Sequence, residues 1–406
     1  MGYFDMGTTR VLFWIFVPSL IDRSQLLAWK EINEVNKGRA KMGTDQISPR
    51  QLMIIVILVS VGTAILIISA SVAAESKQDA WMAQLASNGI GVVLTLLYLY
   101  IAKKFSKRSI FEINDTVFGN WLGKFITLCL AFLTLIFCSM VVFYVGDFMN
   151  TQIMPTTPIQ AIHIVFILVI IMGAKLGMVV LLRTAEIFFP WILLLFIFFI
   201  FFNTPNMEVN RLLPIGEITP LPVARTVIRI TSYTFIPLFI TIGPLLHKVT
   251  SMQRAQKAYL IGVITGGIIM LILVVSSILV LGAGNTAMQV YPSYALAQRI
   301  NIGNFLQRIE VIMAFLWLVS IYFKLSLYYY TTIKGFAHVL HIRDYKILCF
   351  PIGLIITVLS LVVYPNKVHE ERWDNLTFIP LALLIGVVYP LLIVLVGWMR
   401  KSSLRG

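Results

Sequence analysis

Three stretches of this chain carry residues that an idle membrane helix would avoid. The first, Ser60-Val61-Gly62-Thr63-Ala64, puts glycine and hydroxyls in the middle of an apolar run, with Ser69 and Ser71 further on. The second, Thr231-Ser232-Tyr233-Thr234-Phe235-Ile236-Pro237, sets hydroxyls just before a proline, with Gly243-Pro244 following. Proline removes a backbone donor and clashes with the preceding turn, so the carbonyls before it lose their partners. Backbone opened in this way at membrane depth is tolerated only where it faces protein or a water-filled cavity. Freed carbonyls beside hydroxyls can hold a small polar ligand, and the candidate binding set is Gly62, Thr63, Ala64, Ser232, Tyr233, Thr234 and Phe235, with Tyr144 of a third run as a further wall. For the first cluster, close helix packing through small residues is the competing reading.

The third stretch holds Lys324, a basic residue inside an apolar run, with Ser320 one turn earlier and Arg308 and Glu310 at the outer end of the run. Lys324 follows Glu310 by fourteen positions, about 21 Å along a helix at about 1.5 Å per residue, which sets it in the inner half of a bilayer. Intramembrane ionisable residues are costly and by default functional, although a lysine can also snorkel toward the headgroups. Other chemistry is poorly represented. His338 and His341 stand three apart without a Cys, Asp or Glu to complete a ligand set, and they read as cytoplasmic interface residues rather than a metal site. Cys129, Cys138 and Cys349 all fall in apolar runs, where they read as small core residues and form no disulfide framework. No paired carboxylates or Ser/His/Asp set occurs within the apolar runs, so neither an enzyme nor a cofactor is expected.

These residues need a frame, and composition names it. Of 406 residues, 59% are hydrophobic and only 12% are charged, and the mean hydropathy is +0.88. Soluble domains are about 45–50% apolar and about 25% charged, so this surface needs lipid. Ten runs are long enough to cross a bilayer or nearly so: 52–71, 81–101, 125–148, 159–173, 187–202, 227–246, 258–281, 311–330, 347–364 and 378–398. The fourth and fifth are short against the roughly 20 residues a span requires. Trp81, Tyr98, Tyr100, Trp191, Tyr364, Trp373 and Trp398 fall near run ends, as interfacial belts prefer.

The net charge of +14 could suggest a nucleic-acid partner. Its placement argues otherwise, because 23 of the 32 Lys and Arg residues fall in alternate loops and both terminal segments, and only 8 in the opposite loops. That asymmetry is the positive-inside pattern, with both termini cytoplasmic. Residues 1–46 form a separate N-terminal extension before a membrane domain over 47–406. Its apolar run, 11–21, is too short to span and contains Pro18. Leu26, Trp29, Ile32 and Val35 beyond it could form a weak amphipathic helix, though a poorly ordered extension, or a start at Met42, is the preferred reading.

The two interrupted runs are the first and the sixth of ten, each the first member of a five-span half, and an odd number of spans puts the halves in opposite orientation. Interruptions at matching positions of inverted repeats point to a binding site at the bilayer midplane, where half-helix N-termini receive an anionic group such as a carboxylate. In the seventh run, Gly262 and Gly266 have the spacing of close helix contact.

Three separated motifs carry a resemblance. Ala73-Ala74-Glu75-Ser76-Lys77-Gln78-Asp79-Ala80-Trp81, Leu212-Leu213-Pro214, and Arg308-Ile309-Glu310 followed by Trp317 and Lys324 resemble the B subunits of spore germinant receptors, over about residues 47–399. That family is a branch of the amino acid–polyamine–organocation transporter superfamily. The resemblance implies an all-α membrane protein of about ten spans in two inverted five-helix repeats of the LeuT type. It also implies recognition of a small germinant such as an amino acid or sugar, in the inner membrane of a spore, together with A and C subunits. On such a fold the eighth span approaches the unwound part of the first, where sodium-coupled relatives hold a cation. Lys324 would stand in for that ion against carbonyls near Gly62, with Ser320 as a further acceptor. One departure is visible, since Phe235, Ile236 and Pro237 occupy positions where many members carry a glycine and an acidic residue. A secondary amino-acid transporter is the alternative on the same fold.

Overall fold

The computed structural model describes residues 46–105, 108–217, 219–300 and 309–403, with residues 401–403 described by their backbone alone. The expected features of the N-terminal extension lie outside the described residues, as does Arg308. The helices are α1 Pro49–Val61, α2 Ala64–Ser76, α3 Ala80–Lys104, α4 Ile110–Phe118, α5 Asn120–Phe148, α6 Ile159–Leu176, α7 Met178–Asn203, α8 Pro220–Thr234 and α9 Pro237–Ile242. They continue as α10 Met252–Leu281, α11 Ala283–Met288, α12 Pro292–Gln298, α13 Glu310–Val339, α14 Lys346–Val362, α15 Lys367–Arg372, α16 Ile379–Leu383 and α17 Tyr389–Ser403. Among the described residues the only β pairing is a single bridge between Ile47 and Val249.

Among the described residues, eight helical stretches are long and apolar enough to cross a membrane, and α1 and α14 are shorter apolar helices. The shortness of α1 has a cause. The first span is built from α1 and α2, separated by Gly62 and Thr63, and its total length suffices. Likewise the sixth span is α8 and α9, separated by Phe235 and Ile236. With α14 as the ninth and the α15–α17 stretch as the tenth, the chain is a multi-pass integral membrane protein whose helices follow the ten runs.

Local signals account for the ends. Ser48 and Gln51 form a capping box before α1, with Pro49 at the first helical position. Lys77, at a φ of 43°, turns the chain between α2 and α3. The short fourth and fifth runs lengthen into helices of 18 and 26 residues. In α7 the gain comes from a first third that carries Arg183, Thr184 and Glu186, where Glu186 is met by Arg50 at 3.4 Å and Gln51 at 3.3 Å. Partners of this kind let charge sit at the membrane edge. Gly262 and Gly266 bring α10 against α1: a Cβ on Gly262 would lie 2.9 Å from the Met53 carbonyl and one on Gly266 2.8 Å from the Ser60 Cβ.

Several expectations need correcting. Tyr98 is buried and donates to the Gly386 carbonyl at 2.8 Å, so it is a core residue rather than a belt residue. Tyr364 is also buried, and Trp191 sits halfway along α7. Cys129 is exposed, on the side of α5 turned away from the core, while Cys138 and Cys349 are buried. His338 faces Asp115 at 2.7 Å and His341 faces Lys124 at 2.9 Å; no group of three metal-ligating side chains occurs among the described residues.

Candidate functional site

Pro237 has no N–H, so the carbonyl four residues earlier, on Tyr233, has no helical partner. The amide of Ile236 does not substitute, because it bonds back to Thr231 at 3.1 Å. The orphan carbonyl is taken instead by Lys324, whose Nζ lies 3.2 Å from Tyr233 O. The same ammonium donates to the Thr63 hydroxyl at 3.0 Å. A single side chain on α13 therefore ties the break of the first span to that of the sixth. Gly62 makes room for it: a Cβ there would lie 2.5 Å from the Lys324 Cδ. Lys324 is 2% exposed, which argues against the snorkelling geometry.

Above this bridge lies a cavity of about 400 Å³, walled by Thr63, Tyr144, Tyr233, Arg229, Trp317 and Asp374 among others. Thr63, Tyr144 and Tyr233 also line a cleft of about 30 Å³ that reaches Lys324. Both basic residues on the larger cavity are paired. Arg229 meets Glu75 at 2.5 Å, and Lys367 meets Glu370 at 2.8 Å. Asp147 accepts from the Tyr291 hydroxyl at 2.5 Å; burial, and then the neighbouring carboxylate, hold that phenol well above its usual pKa, so it stays a donor. The Asp374 carboxylate accepts from Tyr144, 3.0 Å from both its oxygens, and from Tyr364 at 3.3 Å. Tyr233 stacks on Phe378 with centroids 4.5 Å apart. Trp317, packed on Phe148 at 4.8 Å, keeps a buried indole N–H without an acceptor among the described residues.

Gly62, Thr63, Tyr144, Tyr233 and Lys324 are brought together. The remaining candidates are not. Ala64 is fully buried away from the cavity wall. Ser232 donates to the Ile228 carbonyl at 2.8 Å, and Thr234 is buried with its hydroxyl unpaired. Phe235 lies over Gly91, where a Cβ would come within 2.6 Å of the ring. Ser320 donates to the Trp317 carbonyl at 2.9 Å rather than serving Lys324, and Glu310 stands in the first turn of α13. Asp374, Asp147 and Arg229 were not singled out from the sequence, and Tyr364 was read only as an interfacial aromatic. Asp374 lies between two apolar runs and Asp147 and Arg229 at the ends of theirs, where the only legible signal was topological.

The first two motifs meet in space at the N-terminal end of the sixth span. Ser76 donates to Thr226 at 2.7 Å, Glu75 pairs with Arg229, Gln78 donates to the Pro214 carbonyl at 2.9 Å, and Asp79 accepts the Gly216 amide at 3.0 Å. This clasp joins the C-terminal end of the first span to the N-terminal end of the sixth.

The fold is similar to that of solved transporters. MhsT, solved in complex with L-phenylalanine, superposes with a TM-score of 0.63 at 14% identity, covering 88% of this chain and 99% of that one. Mhp1, a nucleobase-cation-symport-1 family transporter solved with bromovinylhydantoin bound, gives 0.62 at 12% identity, covering 85% and 78%. At such identities the likeness establishes the fold alone, which is the LeuT type with its two inverted five-helix repeats. In sequence, the chain is 28% identical over 370 residues to spore germination protein KB of Bacillus subtilis strain 168, covering 88% of this chain and 96% of that relative. It is 19% identical over 369 residues to spore germination protein B2 of the same organism, covering 88% and 96%. The spore germination protein family matches residues 46–368, and the chain belongs to that family of permease type.

Proposed function

We propose that this chain is the membrane subunit of a spore germinant receptor, recognising a small germinant, an amino acid or similar, and helping to trigger germination. The observation that carries the reading is the convergence of both helix breaks on Lys324 beneath a cavity of about 400 Å³. Small-molecule sites are concave, of about 300–1,000 Å³, with a few convergent polar groups. Lys324 occupies the role a bound cation would have, holding the two breaks in register so that no sodium is needed. The receptor works with A and C subunits in the spore inner membrane, and both termini are cytoplasmic.

Spores carrying Gly62→Leu test this reading. The larger side chain displaces Lys324, so the germinant concentration for half-maximal response rises by about tenfold or more, while the amount of this chain in the membrane is unchanged. Equal loss of protein and of response sinks the binding reading and leaves Gly62 a packing residue.

A secondary amino-acid transporter is the second reading, supported by a polar cavity of about 330 Å³ lined by Ser109, Glu112, His247, Lys334 and His338 at the opposite end of the molecule. It requires that vesicles containing this chain alone take up a labelled amino acid. The receptor reading requires that they do not.

A further inference from the structure

Lys324 and Asp374, the two charges that Tyr144 links, have no protein counter-charge among the described contacts, and they are of opposite sign. Lys324, 2% exposed, uses two of its three donors on a hydroxyl and a carbonyl, both neutral. Asp374 is held by tyrosine hydroxyls only. The other basic residues on the cavity wall are matched, Arg229 by Glu75 and Lys367 by Glu370. A charge withdrawn from water without a partner is strongly disfavoured, and sites that bind charged ligands retain such charges because the ligand completes them. Tyr144 links the two: it lines the cleft that reaches Lys324, and its hydroxyl bonds Asp374. The indole N–H of Trp317, buried on the same cavity and without an acceptor, is a further donor for an anionic group.

Resting on the receptor reading above, we infer that Asp374 is the specificity-determining residue that receives the ammonium group of a zwitterionic ligand, whose anionic end lies toward Lys324 and Trp317. The ammonium end is thus read by a carboxylate on the tenth span, steered by two tyrosines, and not by backbone carbonyls at the helix breaks. Two other carboxylates on the wall lack a basic partner among the described contacts: Glu371, which is exposed, and Asp147. The latter lies three residues beyond Tyr144, about 4.5 Å further out along α5, where its carboxylate is capped by Tyr291.

The test uses the full chain in lipid nanodiscs, with each of the twenty L-amino acids and its des-amino counterpart, such as propionate for L-alanine, as probes. Binding is read as ligand-induced thermal stabilisation. At least one amino acid stabilises the wild type and binds about tenfold or more tightly than its des-amino acid; Asp374→Asn removes most of that preference, since losing one partner of a desolvated charge pair is severe. Asp374→Glu restores part of it, and Asp147→Asn leaves the preference ratio unchanged. Thermal midpoints without ligand separate misfolding from lost recognition. An undiminished preference in folded Asp374→Asn overturns the inference, as does a wild type that binds no amino acid or binds the des-amino acids equally well. In the last two cases the receptor reading stands if Gly62→Leu still shifts the spore response, so the two failures are distinguishable.

Discussion

A lysine surrounded by aliphatic and aromatic side chains is stable as an ammonium only where acceptors meet it, and Lys324 has one from each broken span. Lys324→Met keeps the length and the apolar stem, removes the charge and leaves the Tyr233 carbonyl without a donor, a loss of about 1–3 kcal/mol. Ligand response is expected to vanish at normal expression; Lys324→Arg at best partly preserves it, and the wild type responds equally in sodium and in potassium. A normal response from Lys324→Met, or a sodium requirement, removes Lys324 from the site. At this scale the sequence was informative wherever a residue broke a rule: a charge in an apolar run, a glycine in a helix, hydroxyls before a proline. It was silent on hydroxyls. Ser232 and Ser320 look like Thr63 in sequence, but a helical serine can donate to a carbonyl one turn back, and both do.

At the scale of elements, the breaks were legible because Pro237 and Gly62 have backbone consequences that no tertiary context removes. Helix lengths were less so. The fifth span extends backward through Arg183 and Glu186, because Glu186 finds Arg50 and Gln51 at the N-terminal end of α1, and no single-segment pattern reveals a distant partner. The contact of α10 with α1 gives a prediction that separates packing from binding. Gly262→Leu forces a side chain against the Met53 carbonyl and Val56, and overpacking of this kind costs about 1–3 kcal/mol. The thermal midpoint in detergent should fall and less protein should reach the membrane, while the surviving protein keeps its wild-type ligand sensitivity. A change in sensitivity at unchanged stability would place α10 in the recognition pathway.

For the whole molecule, the distribution of basic residues predicts an orientation with both termini cytoplasmic. Single cysteines in a cysteine-free variant at Thr156 and Asn206, both exposed, should react with an impermeant maleimide from outside intact cells, and one at Asp344, exposed at the other end, should not. Labelling at Asp344 would reverse the topology and turn the larger cavity toward the cytoplasm. The ten-span architecture was readable because lipid imposes length and apolarity on every span. Asp374 was not, since a charge flanking a run reads the same whether it faces a headgroup or a cavity.

The clasp between the first and sixth spans has a consequence for how such chains can be rebuilt. Its halves lie about as far apart in sequence as the two repeats, yet Ser76 meets Thr226 and Glu75 meets Arg229 directly. Neither segment can drift alone without leaving a hydroxyl or a charge stranded, so mutations in one are expected to be answered in the other across descent. A chimera joining the first five spans of this chain to the last five of a distant relative inherits half a clasp, and a graft that succeeds must carry both motifs together.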